Sequence, residues 1–246
     1  MTSKDIEKIH ILINTPAKIV ITTHSNPDGD AMGSSLALYN YLIQKRHDVT
    51  VITPNAYPEF LHWMPGHEKV LIFTESVKKV YGEHGLLSGL VLSEAEVAET
   101  SRTIKEAFHD AEIMFCLDYN TPSRVEEMQP LVEAFTGTSI LIDHHPEPAD
   151  FTDFRLSVTK ASSTAELIYE FICLLDDRQL INRKVAECIY TGILTDTGSF
   201  TYGSTSARAH EVAGDMISAG ADNQKIQSFI FQNNSLNSIR LLGYSL

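Results

Sequence analysis

Three short stretches group side chains that serve chemistry better than they serve folding. In "ITTHSNPDGDAM", His24, Asp28 and Asp30 fall within seven residues. In "MFCLDYN", Asp118 closes an apolar run, and in "ILIDHHP" the residues Asp143, His144 and His145 follow one another. A turn needs one Asp or Asn and a Gly, not an imidazole and two carboxylates. Three polar groups at the exit of the apolar run ILI cost desolvation unless they are paired or bound to metal. A fourth stretch, "YTGILTDTGSF", supplies Asp196. Several carboxylates gathered in one place repel one another and stay partly protonated unless cations neutralise them. Two divalent ions roughly 3.5–4 Å apart, bridged by one carboxylate, would do so, clamp a phosphoryl group and lower the pKa of a bound water to about 7. Carboxylates with some imidazole suit manganese or magnesium, and the lack of thiolates argues against structural zinc.

Each piece alone has a plainer reading. Asp28-Gly29-Asp30 could be a turn and an N-cap, Asp118 could cap the following "TPSRVEEM", and Gly198 could terminate the helix that carries Asp196. His24 alone reads as a hydrogen-bonded histidine at a strand end. The Asp-Thr-Gly of residues 196–198 matches an aspartic protease tripeptide, but a second copy and a β-rich pattern are both missing.

The elements that must position these groups follow from the periodicity. "AKIVITTH", "VTVIT", "KVLIF", "EIMFCLDYN" and "SILIDHHPEP" read as five short strands. Helical spacing appears in "SKDIEKIHILINT", in "AMGSSLALYNYLIQKRH" with an apolar face of Leu36, Leu38, Tyr41 and Leu42, and from Glu94 to His109. Strands without alternation, separated by helices, indicate an α/β fold with a parallel sheet of about five strands covered on both faces. In such sheets the carboxyl ends of strands converge on the ligand crevice, so His24, Asp118 and Asp143 to His145 would meet there. The section from Pro54 to Gly66 reads as a long loop. From Ser163 onward, four successive helices, "STAELIYEFICLL", "RKVAECIYTGILTD", "ARAHEVAGDMISAG" and "NQKIQSFIFQ", make a helical C-terminal portion. Residues 1–232 read as one catalytic domain and residues 233–246 as the start of a connecting helix.

The composition sets outer bounds. Of 246 residues, 43% are hydrophobic and 21% charged, which is a globular balance. No apolar run approaches the roughly 20 residues of a membrane span, and the start lacks a signal-peptide layout, so a cytoplasmic address is expected. The formal net charge of -13 argues against long duplex nucleic acid as a partner. Cys116, Cys173 and Cys188, odd in number and without a CxxC pair, read as reduced core residues. Two chains pairing through exposed helices would fit the pattern.

In this order the motifs resemble the DHH phosphoesterase family: "THSNPDGDAMGSS", "CLDYN", "IDHHP" and "GILTDTGSF" match its four motifs, and the first is most similar to the branch of bacterial nanoRNases. The resemblance implies a manganese-dependent phosphodiesterase acting on short oligoribonucleotides or dinucleotides, with 3′-phosphoadenosine 5′-phosphate and cyclic dinucleotides as related substrates. It implies two manganese ions, with magnesium or cobalt as substitutes. His24 and Asp28 would hold one, Asp30, His144 and Asp196 the other, and Asp118 would bridge them. Asp143 would orient His144, His145 would contact or protonate the phosphate, and Gly29 would allow the turn that separates Asp28 from Asp30. Ser34, Tyr202, Ser204, Thr205 and Arg208 are the substrate-binding candidates; the plainer reading is that Ser204 to Ser206 cap a helix and Arg208 pairs with an acid. The resemblance also implies a second, DHH-associated domain beyond a linker that begins near Leu246. Two other readings are a family-II-like inorganic pyrophosphatase, against which stands the lack of a basic C-terminal portion, and a non-catalytic dinucleotide-binding module, against which stands the full set of ligands.

Overall fold

The computed structural model describes residues 1–73 and 94–231. Helix α1 (Ser3–Ile13) leads into strand β1 (Lys18–Thr23), helix α2 (Gly29–Leu42), strand β2 (Asp48–Thr53) and the short strand β3 (Leu71–Ile72). Helix α3 (Glu94–Asp110), strand β4 (Ile113–Leu117), the short helix α4 (Gln129–Glu133) and strand β5 (Thr138–Asp143) follow. The chain then forms strand β6 (Phe154–Ser157) and four helices, α5 (Thr164–Leu174), α6 (Arg183–Asp196), α7 (Ala207–Ser218) and α8 (Asn223–Phe231).

All six strands are parallel, in the order β3-β2-β1-β4-β5-β6. The sequence pattern predicts five. The sixth, "FRLS", is four residues long, sits at the sheet edge and buries only Leu156. Its signal is therefore too short and too mixed to stand out from a loop.

Uniformly apolar strands bury both faces, because each face meets a different layer. Ile19, Ile21, Phe115, Ile140 and Ile142 face the layer of α1, α2, α5 and α6. Val20, Ile52, Met114, Cys116 and Leu141 face α3 and the segment of Val125, Met128 and Val132. Helix α2 lies between the sheet and α6, so nearly every side chain in it is buried rather than one apolar face. Its Met32, Leu36, Leu38 and Leu42 are fully buried. At about 1.5–3 kcal/mol each, they hold the helix firmly enough to keep Asp30 inside. The loop from Pro54 to Gly66 contains a 3-10 turn at Glu59–Leu61, and Leu61 and Met64 anchor it in the core.

The strand order reverses direction between β1 and β4, the topological switch point at which doubly wound sheets open a crevice. His24 follows β1 and Asp118 follows β4, so the two sides of that point each deliver a candidate ligand. Cys116, Cys173 and Cys188 are free thiols, as expected, the first and last of them buried. No helix among the described residues is long and apolar enough to cross a membrane. Residues 233–246, read from sequence as a connecting helix, lie outside the described residues.

Candidate functional site

Asp118 sits at the centre of the site. It is 2% exposed and takes the left-handed conformation, φ 63, that lets the chain turn sharply off β4. Asp tolerates this region better than most side chains, and strain of this kind gathers at functional sites. Its two carboxylate oxygens face different neighbours: Oδ2 lies 3.4 Å from His24 Nε2, and Oδ1 lies 3.6 Å from His144 Nε2 and 3.7 Å from His145 Nδ1.

Around it stand two groups whose ligand atoms lie within 4.8 Å of one another: His24, Asp28 and Asp118, and Asp30, His144 and Asp196. Asp118, His144 and His145 form a third, overlapping group. Both nearer histidines have the tautomer a cation needs. His24 Nδ1–H donates to Ser25 O at 2.7 Å and His144 Nδ1–H to Ala161 O at 3.4 Å, so each Nε2 faces the carboxylates.

Asp28 is the N-cap of α2, accepting from Asp30 N at 2.9 Å and Ala31 N at 3.0 Å, and its side chain still stands 3.9 Å from His24. The capping and ligand readings of this residue are therefore compatible. Gly29 lies inside the helix, and its lack of a side chain serves packing. A Cβ there would meet Thr195 Oγ1 at 2.4 Å, so close approach to α6, not turn conformation, requires the glycine.

Asp30 is 1% exposed and accepts two backbone N–H groups from the start of α5, Thr164 N at 2.6 Å and Ala165 N at 2.9 Å. Thr164 Oγ1 donates to Asp118 Oδ1 at 2.8 Å. Thr164 is the functional residue that sequence reasoning missed. The signal was "SSTAE", in which Ser163 caps α5 and Glu166 reaches back to Ser162 at 2.9 and 2.6 Å, the mark of a helix N-terminus with free donors.

The electrostatics of the site call for cations. Burial, reinforced by Asp118, Asp196 and Asp28, pushes the Asp30 carboxyl well above its ordinary range. Asp196 is pushed up to about 6, by burial first and then by Asp118 and Asp28, with His144 opposing. It is also the last residue of α6, where the helix dipole disfavours a negative charge. Asp118 shows the reverse: burial would raise it, but His24 and His144 hold it low. His24 is raised because the neighbouring Asp118 outweighs the effect of its burial.

Asp143 does not orient His144. Its Oδ1 accepts from His145 Nδ1–H at 2.8 Å, and this bond raises the His145 pKa. In an extended chain, residues two apart share a side and adjacent ones point apart, so Asp143 pairs with His145. Asp143 Oδ2 is buried without a partner.

The substrate-binding candidates fare less well. Ser34 is fully buried and donates to Ala31 O in its own helix at 3.2 Å, one turn deeper than Asp30, so it has no surface to offer a ligand. Arg208 is engaged by Glu170 at 2.7 Å and Glu211 at 2.9 Å, the acid pairing of the plainer reading. Ser206 caps α7, Ser204 is exposed, and Thr205 Oγ1 is buried without a partner. Tyr202 is 61% exposed, and its ring lies over Gly198, which with φ +54 ends the turn after α6.

A doubly wound parallel sheet with carboxylates and imidazoles gathered at its switch point defines an α/β domain whose crevice holds groups that could bind metal ions. The chain belongs to the DHH family: the model of the DHH family N-terminal domain matches residues 18–193. It is 29% identical over 202 residues to the bifunctional oligoribonuclease and PAP phosphatase NrnA of Thermus thermophilus, covering 82% of this chain and 50% of that one. To the protein of the same name from Bacillus subtilis it is 29% identical over 237 residues, covering 89% of this chain and 63% of that one. The crystal structure of an exopolyphosphatase-related protein from Bacteroides fragilis superposes with a TM-score of 0.85 at 35% identity, covering 99% of this chain and 64% of that one. The chain thus spans between half and two thirds of the length of these relatives.

Proposed function

We propose that this site is a two-metal phosphodiesterase centre acting on short oligoribonucleotides or dinucleotides, with manganese as its metal. The observation that carries the reading is the sharing of Asp118 between two ligand groups. His24, Asp28 and Asp118 Oδ2 would hold one ion; Asp30, His144, Asp196 and Asp118 Oδ1 would hold the other. The donor set fits such cations, because oxygen and imidazole donors suit manganese and the raised Asp30 and Asp196 carboxyls are relieved by positive charge. When bound, the two ions supply Lewis acidity to the phosphoryl group and a hydroxide-like water at neutral pH.

The chain's own residues do the rest. The start of α5 orients Asp30 and Asp118, and the Ser25 and Ala161 carbonyls hold the two histidine rings. Asp143 accepts from His145 Nδ1–H and so favours the doubly protonated ring, whose Nε2–H would give its proton to the sugar oxygen that departs when water adds to phosphorus. The names of the NrnA relatives support a short RNA or 3′-phosphoadenosine 5′-phosphate as substrate. We assign this chemistry to residues 1–232.

The test is to incubate the 246-residue chain with manganese and 5′-phosphorylated diadenylate, beside an Asp118→Ala variant, and to measure AMP. Release by the parent that vanishes in the variant is the expected result. Failure of the folded parent to bind manganese overturns the assignment.

A further inference from the structure

A phosphate-bearing substrate approaching Asp28, Asp30, Asp118, Asp143 and Asp196 needs a protein cation that these acids have not neutralised. Most arginines of the described residues are already engaged: Arg102 with Glu106, Arg178 with Asp215, Arg183 with Glu187, and Arg208 with Glu170 and Glu211. Arg46, Arg124 and Arg155 are exposed and form no ion pair among the described residues, and of these Arg124 lies beside the loop of His24.

Its place in the fold is specific. Ser25 N donates to Arg124 O at 2.8 Å, so the residue abuts the loop that carries His24 and Asp28. It stands six positions after Asp118, on the 3-10 turn capped by Thr121, and the backbone kinks two residues later at Glu126, φ 46 and ψ -118. The guanidinium charge is also felt at His145, where it opposes the proton that Asp143 and Asp118 favour.

We propose that Arg124 grips a second phosphate of the substrate, adjacent to the scissile one and on the His145 side of the site, and so selects substrates that carry two neighbouring phosphates. The inference rests on the phosphodiesterase reading above. The planar fork of arginine matches two non-bridging phosphate oxygens and keeps its charge at every working pH. The metal-type groups serve the scissile phosphate, which leaves Arg124, beside the loop of His24, for its neighbour.

The test compares 5′-phosphorylated diadenylate with the same dinucleotide lacking the 5′-phosphate, for the parent chain, Arg124→Ala and Arg124→Lys. The parent is expected to favour the phosphorylated form. Arg124→Ala is expected to raise its KM about 10- to 100-fold, as loss of a charged hydrogen bond does, and to abolish the preference, with lysine restoring part of it. Manganese affinity, measured by titration, stays at the parent value. An unchanged preference in Arg124→Ala overturns the inference, as does a parallel fall in manganese affinity, which would make the role structural. If the parent turns over neither compound, the phosphodiesterase reading fails by itself. Fluorescence anisotropy with both labelled dinucleotides in calcium then carries the same comparison, and equal affinities in parent and Arg124→Ala overturn the assignment of Arg124.

Discussion

Thr164 and Asp118 are joined by a 2.8 Å hydrogen bond that reaches from the start of α5 to the end of β4. The same residue's N–H donates to Asp30 Oδ2 at 2.6 Å, so one threonine steadies a carboxylate of each ligand group. The site is thus held by a helix N-terminus as well as by strand ends. Asp30 accepts a backbone N–H at each oxygen and Asp118 a hydroxyl at Oδ1, so donors of the α5 start fix both acids while Asp118 Oδ2 faces His24.

Replacing Thr164 with valine keeps the shape and removes only the hydroxyl. Manganese affinity is expected to fall about 10- to 100-fold, the usual cost of losing a partner that orients a ligand. Thr164→Ser should restore most of it. Titration of manganese into the two variants checks this, and equal affinity in Thr164→Val would remove the residue from the site.

How much of this was legible in the sequence depended on how local each signal was. Strands β1, β4 and β5 announce themselves because both faces are buried and each is built on an unbroken apolar run, Ile19 to Ile21, Ile113 to Leu117 and Ile140 to Ile142. Their polar ends then stand out, which is why His24, Asp30, Asp118, His144 and Asp196 could be brought together from spacing and resemblance. Strand β6 has no such run. The resemblance pairs Asp143 with His144, whereas the alternation of an extended chain gives it His145. Ser34 belongs to the same motif as Asp28 and Asp30, but helix geometry carries it a turn inward, where it is fully buried. The place of Arg124 beside the His24 loop comes from a tertiary contact to Ser25, which no spacing reveals.

Metal uptake should displace protons. In the metal-free site Asp30 and Asp196, the latter with a pKa of about 6, are raised, as is His24, so each keeps its proton further into the neutral range. Calorimetric manganese titrations in two buffers of different ionisation enthalpy should show release on the order of one proton near pH 6, shrinking by pH 8. The sign for stability follows. An aspartate with a raised folded pKa costs the metal-free fold stability as pH rises from 3.8 through about 6. The manganese-induced rise in Tm should therefore be larger at pH 7 than at pH 5; the opposite order would refute it.

Asp143→Asn tests the dyad with His145. The Nδ1–H···Oδ1 bond is the first cause of the raised His145 pKa, so the amide should lower that pKa. If His145 supplies the leaving-group proton, kcat falls about 10²- to 10⁴-fold. The alkaline limb of the pH–rate profile moves to lower pH. An unmoved limb, whatever the change in rate, would separate His145 from proton transfer.

The packing that seats Asp30 can be probed without touching a ligand. A Cβ on Gly192 would lie 2.4 Å from Ala165 Cβ and 2.7 Å from Asp30 Oδ1, so the helix α6 can approach α2 and α5 only because this position has no side chain. Gly192→Ala should force the three helices apart, at about 1–3 kcal/mol as overpacking does, and should weaken manganese binding by shifting Asp30. Gly214 in α7 has nothing within 4 Å of such a Cβ. Gly214→Ala should instead stabilise by about 0.5–1 kcal/mol, because alanine loses less backbone entropy in a helix. Chemical denaturation of both variants, with manganese titrations alongside, distinguishes steric seating of the site from a general effect of replacing a helical glycine. The seating argument requires that only Gly192→Ala lose metal affinity, and equal affinity in the two variants would remove Gly192 from the account of Asp30.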